Sequence, residues 1–300
     1  MPPVKSLLLR AAALPLALLA ACVAPPPANP PPSGEGAVID ANRRADAYLR
    51  SNDLEGAARQ YREAIRLARS VEDAESIAAN AINLSIVYQR LGRADDARAS
   101  LALLLEPGQL SYSSERMAQA ALRRSVLDMD ERRTASANEW LERAAAYCGQ
   151  RGCAVSTAIQ NVRGQLALEA GRLDQAAASA KTALNMSRSS GDRAEAANAL
   201  RLLGAISIRA GDAGAAAAYL GEALAIDREL AAPHKIYLDL IALGRASALR
   251  GDRAAARSFY ERARAVSEAD RDAAAAAQAR TLIEALGDNV QASQPAPGRP

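Results

Sequence analysis

Apolar and small residues in this chain recur three and four positions apart, the spacing that gathers them on one side of a helix. Residues 200–225, LRLLGAISIRAGDAGAAAAYLGEALA, show it most fully. Leu200, Leu203 and Gly204 form one stripe, Gly211-Asp212 interrupts it, and Ala216, Leu220 and Ala223 form a second. Two stripes separated by a glycine break predict a helical hairpin closed by small side chains. The unit repeats. An Ala five positions after the start of each turn stands at Ala57, Ala97, Ala137, Ala176, Ala216 and Ala256, in steps of 40, 40, 39, 40 and 40 residues. The turns themselves read Asn52-Asp53, Gly92-Arg93, Arg132-Arg133, Gly171-Arg172, Gly211-Asp212 and Gly251-Asp252. Four residues after each Ala comes Tyr61, Leu101, Leu141, Ala180, Leu220 or Tyr260, and three later Ala64, Leu104, Ala144, Ala183, Ala223 or Ala263. Before each turn, Ala45, Ser85, Ser125, Gly164, Gly204 and Gly244 supply the small residue where the two helices cross.

Copies five and six, LRLLGAISIRAGDAGAAAAYLGEA and LIALGRASALRGDRAAARSFYERA, resemble the tetratricopeptide repeat, with its small crossing residue, turn glycine, Ala, large residue and Ala in that order. The likeness covers roughly residues 37–287. The period of 40 exceeds the usual value of about 34, a lengthening similar to kinesin-light-chain spacing, and no copy carries the Trp expected early in the first helix. The resemblance implies an all-α, right-handed α-α superhelix (solenoid) of about six hairpins plus a C-terminal capping helix, the first helix of each hairpin lining the concave side. Carried over residue by residue, the inward positions are Asn42, Asp46 and Arg50 in copy one, Ile82, Ile86 and Arg90 in copy two, Asn161, Gln165 and Glu169 in copy four, Asn198, Arg201 and Arg209 in copy five, and Ile241 and Arg245 in copy six. Arg recurs among them, and Asn hydrogen-bonds a peptide backbone in either direction, so a groove for extended peptide is expected. The Lys-and-Asn carboxylate clamp of chaperone-binding members is absent. Copy three departs most, with the long connection EPGQLSYSS before it and Arg132-Arg133 in place of a turn glycine. Residues 271–286 read as the capping helix, ended by Gly287, and residues 288–300 as a disordered tail.

Ahead of the repeats, residues 1–21 carry Lys5 and Arg10 and then an apolar run of eleven residues, short of the roughly 20 that a membrane span needs. An export signal fits better. Leu19-Ala20-Ala21-Cys22 resembles a bacterial lipobox, which implies a signal peptide over 1–21 and a lipidated Cys22 as first mature residue; an ordinary signal peptide and a short membrane anchor are the alternatives. Acyl chains contribute about 0.8 kcal/mol per buried CH₂, so the membrane is an expected partner through that anchor. Val23 follows, where enterobacterial lipoproteins retained at the inner membrane tend to carry Asp, and by that analogy the outer membrane's periplasmic face is expected. Residues 22–36, APPPANPPPSGEG after the first two, form a Pro-rich linker that reads as an extended spacer.

Composition sharpens this in few places. One Phe, one Trp and eight Tyr leave Ala and Leu to build the core, and those are strong helix formers. The formal charge of +3 falls to +1, 35 basic against 34 acidic residues, once Lys5 and Arg10 are set aside, which gives no reason to expect nucleic acid as a partner. Cys148 and Cys153 flank a Gly-containing loop, and in an exported protein a disulfide is expected, free thiols or redox chemistry being the alternatives. His234 is the sole histidine and reads as a surface residue at a helix start; Trp140 reads as packing between hairpins, or else as a binding anchor. No phosphate-cradling, nucleophile-elbow or zinc-protease motif occurs, so no cofactor, metal or catalysis is expected. The sequence therefore predicts a non-catalytic scaffold or adaptor, lipid-anchored and facing the periplasm, that recruits other envelope proteins or extended peptides into its groove. A pilus or secretion pilotin, a regulator of a cell-wall enzyme, a structural spacer and a hydrolase with a cryptic site are the alternatives.

Overall fold

The computed structural model describes residues 34–291, and the described residues form thirteen helices and no strand. In order they are α1 Gly34–Arg50, α2 Leu54–Ser70, α3 Ala74–Arg90, α4 Ala94–Leu105, α5 Ser114–Asp130, α6 Thr134–Cys148, α7 Ser156–Glu169, α8 Leu173–Ser190, α9 Arg193–Arg209, α10 Ala213–Glu229, α11 Pro233–Leu249, α12 Arg253–Ala269 and α13 Ala273–Gln291. Pairs α1/α2 to α11/α12 are the six hairpins, and α13 covers the last of them. The expected signal peptide, Cys22 and most of the Pro-rich linker lie outside the described residues, as do residues 292–300. Two boundaries differ from the expectation. α1 begins at Gly34, inside the stretch read as linker, because the prolines end at Pro32 and the chain can thereafter donate its backbone N–H groups. α13 runs through Gly287 to Gln291: that glycine stays out of the left-handed region, so it does not stop the helix.

Local chemistry places the helix ends. The first residue of all six intra-hairpin turns is left-handed, Asn52 and Arg132 as well as Gly92, Gly171, Gly211 and Gly251. Residues between hairpins do the same at Glu72, Gly191, Ala231 and Arg271. Asp53, Asp73, Asp192, Asp212 and Asp252 then cap the following helix, each side chain accepting a hydrogen bond from the backbone N–H three residues on.

Small crossing residues hold each hairpin together. A Cβ on Gly204 would stand 2.5 Å from Leu220 Cγ, and one on Gly244 only 2.2 Å from Tyr260 Cε1. The large residue of the outer helix thus fills the gap left by the missing side chain on the inner one. Leu200, Leu220 and Leu240 are almost wholly buried in this seam, and each stabilises the fold by roughly 1.5–3 kcal/mol. Every helix packs on the next, and odd-numbered helices also meet one another, α3 on α5, α5 on α7, α7 on α9 and α9 on α11. Crowding on one side of a stack is what curvature produces, so the odd helices form the concave wall. The curl brings the two ends within reach: Asn52 Nδ2 donates to the Arg271 carbonyl, 3.3 Å away and 219 residues along the chain. Where hairpins three and four meet, Cys148 at the end of α6 is bonded to Cys153, with Cα atoms 4.9 Å apart.

Candidate binding groove on the concave wall

The inner faces of α5, α7, α9 and α11 enclose a cavity of about 510 Å³. Its apolar floor includes Leu122, Val126, Val162, Leu168, Leu202 and Leu238. Its polar groups are Arg123 from α5, Asn161 and Gln165 from α7, Glu195, Asn198 and Arg201 from α9, and Lys235 from α11.

Arg201 is committed to the fold. Its Nε donates to Asp239 Oδ1 at 2.6 Å, Nη1 to Asn198 Oδ1 at 2.9 Å, and Nη2 to Asp227 at the end of α10. Asp239 is fully buried and burial drives its carboxyl pKa up, with Arg201 opposing and Asp227 reinforcing the shift. One guanidinium thus ties α9 to α10 and α11 beneath the groove floor.

Around it lie groups that the fold leaves unmatched. Asn161, nine-tenths buried, donates through Nδ2 to the Glu195 carboxylate at 2.6 Å and the Glu195 carbonyl at 3.2 Å, while its Oδ1 has no hydrogen-bond partner. Both partners are acceptors, which fixes the amide orientation. Arg123 gives an Nη2 hydrogen bond to Gln89, yet its buried Nε donates to nothing. Lys235 Nζ reaches Asn198 Oδ1 at 3.3 Å. Burial is the largest cause lowering the pKa of both Arg123 and Lys235. A buried donor or acceptor left without a partner costs about 1–3 kcal/mol.

Of the residues carried over from the repeat family, Asn161, Gln165, Asn198 and Arg201 line this cavity. Ile82 and Ile241 do not: both are buried in the hydrophobic core, where an apolar side chain at that position packs into the array. Asp46 accepts a hydrogen bond from Tyr61 within the first hairpin, and Arg90 donates to Asn52 across neighbouring turns. Asn42 is half-buried, and Arg50, Ile86, Glu169, Arg209 and Arg245 are exposed outside the cavity. The polar lining therefore sits nearer the helix N-termini than the family positions place it. Glu195, Asn198 and Arg201 precede Gly204 by nine, six and three residues, and Lys235 precedes Gly244 by nine. That register could have found Lys235, one of three lysines in the chain. Arg123 carried no such signal, because it lies two residues before Ser125 in the copy that departs most from the pattern.

The other candidate residues are structural in their surroundings. Trp140 packs against the core of the third hairpin with Arg143 4.5 Å and Arg124 5.4 Å from its ring centroid. His234 is little more than half exposed and lies 3.9 Å from Asp272, and the partial loss of solvent, with Lys235 beside it, lowers its pKa against the pull of Asp272. Among the described residues no group of three or more His, Cys, Asp or Glu side chains could hold a metal ion, and no helix is long and apolar enough to cross a membrane.

Residues 155–229, the fourth and fifth hairpins, match the tetratricopeptide repeat family, one copy earlier than the pair with the fullest motif. No curated protein matches the sequence. Solved structures with a similar fold include a Rap protein complexed with competence and sporulation factor, at TM-score 0.61 and 13% identity over 87% of this chain and 74% of that one. A signal-transduction ATPase of Pyrococcus horikoshii with a tetratricopeptide repeat sensor matches at TM-score 0.56 and 16% identity, over 84% of this chain and 37% of that one. PilW, a widely conserved type IV pilus biogenesis factor, matches at TM-score 0.50 and 19% identity, over 76% and 92% of the two chains. Residues 155–229 are thus identified as tetratricopeptide repeats, and the thirteen described helices form one α-α superhelix similar to those solved structures.

Proposed function

We propose that the protein is a non-catalytic adaptor that holds an extended segment of another protein against its concave wall, and that it does so at the periplasmic side of a membrane, anchored through lipid on Cys22. The observation that carries the reading is the lining of the cavity, where Arg123, Gln165, Asn198 and Lys235 bring donors and Gln165 and Glu195 acceptors to the concave wall. An extended backbone presents an N–H and a carbonyl at every residue and pairs with donors and acceptors alike. The apolar floor between them accepts side chains from the same segment. Among the solved structures of this fold, the Rap protein is held in complex with a factor, and PilW is a pilus biogenesis factor, which supports binding as the work of such arrays.

Photo-crosslinking in cells tests the reading. A crosslinker in place of exposed Gln165, inside the groove, is compared with one in place of exposed Lys181 on the outer helix α8. Capture of one envelope protein from Gln165 and not from Lys181 is the expected result. Capture from Lys181 alone, or from neither, would overturn it. Separately, metabolic labelling with a palmitate analogue is expected to mark the wild-type chain and not Cys22→Ala; equal labelling of both would remove the anchor from the proposal.

A further inference from the structure

Three cations line the cavity, and the fold treats them differently. Arg201 is neutralised by Asp227 and Asp239. Neither Arg123 nor Lys235 makes an ion pair among the described residues, although both line the same cavity from opposite ends of the four-helix wall. Asp130, the carboxylate whose charge Arg123 feels, is held by Gln89 instead. Glu195 is the carboxylate that lines the cavity, and Asn161 holds it.

A buried charge without a counter-charge is costly, and the groups that usually remove that cost are an opposite charge or a loss of the proton. Arg cannot lose its proton at neutral pH, so for Arg123 the remaining route is a counter-ion from outside. Lys235 already sits in the field of Glu195, Asp227 and Asp239, so Arg123 is the cation left to be matched. Arg123 and Lys235 are only partly exposed, which weakens screening by solvent and salt.

Resting on the peptide-groove reading above, we infer that the segment this groove takes carries a single acidic side chain flanked by apolar ones, its carboxylate seated by Arg123 on α5, with Lys235 adding positive charge from the α11 end and the neighbouring side chains lying on Leu122, Leu202 and Leu238. The carboxylate belongs to an internal Asp or Glu. The cavity extends across four helices with a cation towards each end, so a chain crosses it with its middle over the polar groups. Glu195 repels a second acid, and an acidic run gains nothing over one residue. The Arg123 guanidinium, which makes one hydrogen bond through Nη2 to Gln89, has donor capacity left for the incoming carboxylate.

The test uses the full chain and acetylated, amidated decapeptide libraries, rich in Leu and Ala, with Glu, Gln or Lys fixed at the centre. Binding is read by fluorescence polarisation. The Glu library is expected to bind at least tenfold more tightly than the Gln library, and the Lys library more weakly than either. Arg123→Gln is expected to abolish the preference for Glu over Gln and Lys235→Gln to reduce it, with circular dichroism checking that both variants keep the helical fold. Equal binding of the three libraries would overturn the acidic specificity and leave the groove standing. Failure of every library to bind would overturn both. A Gln library with a free C-terminal carboxylate is the last arm: if it matches the Glu library, the site reads chain ends and the internal acid is wrong.

Discussion

Arg201 shows how a residue chosen as a ligand contact can belong to the fold. Its inward position and charge are those of a groove residue, yet two almost fully buried carboxylates from two other helices claim it. Neither partner lies within one helical turn in sequence, so no local pattern announced them. Removing one member of such a buried cluster leaves the others uncompensated. Arg201→Ala is therefore expected to lower unfolding stability by about 3 kcal/mol at pH 8, measured by urea titration. The pH dependence has a definite sign. Asp239 titrates above the ordinary carboxylate range in the folded protein, so the native state binds its proton more readily than the unfolded chain. Its contribution to stability is largest in acid and declines as pH rises through that raised pKa. Without Arg201 the shift grows, so the deficit of the variant should be smaller at pH 5 than at pH 8; an equal deficit would show that the cluster is not titrating. Because the variant is unstable, loss of binding in Arg201→Ala is no evidence about the groove, and Lys235 and Arg123 are the positions to vary instead.

At the scale of helices and hairpins, what could be read from the sequence was set by local chemistry. Glycine or Asn in the left-handed turn, Asp at the next cap and the small residue at the crossing are short-range requirements, and they located the hairpins closely. The turns between hairpins were harder, since Glu72, Ala231 and Arg271 adopt the left-handed conformation without the side chain that usually marks it. The crossing glycines give a paired prediction. In a helix interior Gly→Ala ordinarily gains about 1 kcal/mol. Gly221 in α10 faces open space, a Cβ there meeting nothing within 4 Å, so Gly221→Ala should raise the melting temperature. Gly244→Ala drives a methyl into the Tyr260 ring, and overpacking of about 1–3 kcal/mol should outweigh the propensity gain and lower it. Two shifts of the same sign would mean that Gly244 is not the contact between α11 and α12.

For the whole molecule, the repeat period conveyed the stack and its concave side, while the register of the groove depended on curvature that no single copy encodes. The family positions gave four of the cavity's residues, and a lengthened repeat with tightly curled ends placed its other polar groups towards the helix N-termini. Curvature also explains Ile82 and Ile241, which the array buries, whereas Asn161 in the corresponding place of copy four remains at the cavity.

In the proposed function the wall of odd-numbered helices, and not the outer face, grips the partner. Beyond Lys5 the chain has two lysines, Lys235 in the groove and Lys181 exposed on outer helix α8, and they make the comparison within one molecule. Amine acylation of the full chain, quantified by mass spectrometry with and without saturating envelope-protein extract, measures it directly. Lys235 is expected to become protected several-fold while Lys181 reacts at an unchanged rate; protection of Lys181 with Lys235 unaffected would place the partner on the outer face instead.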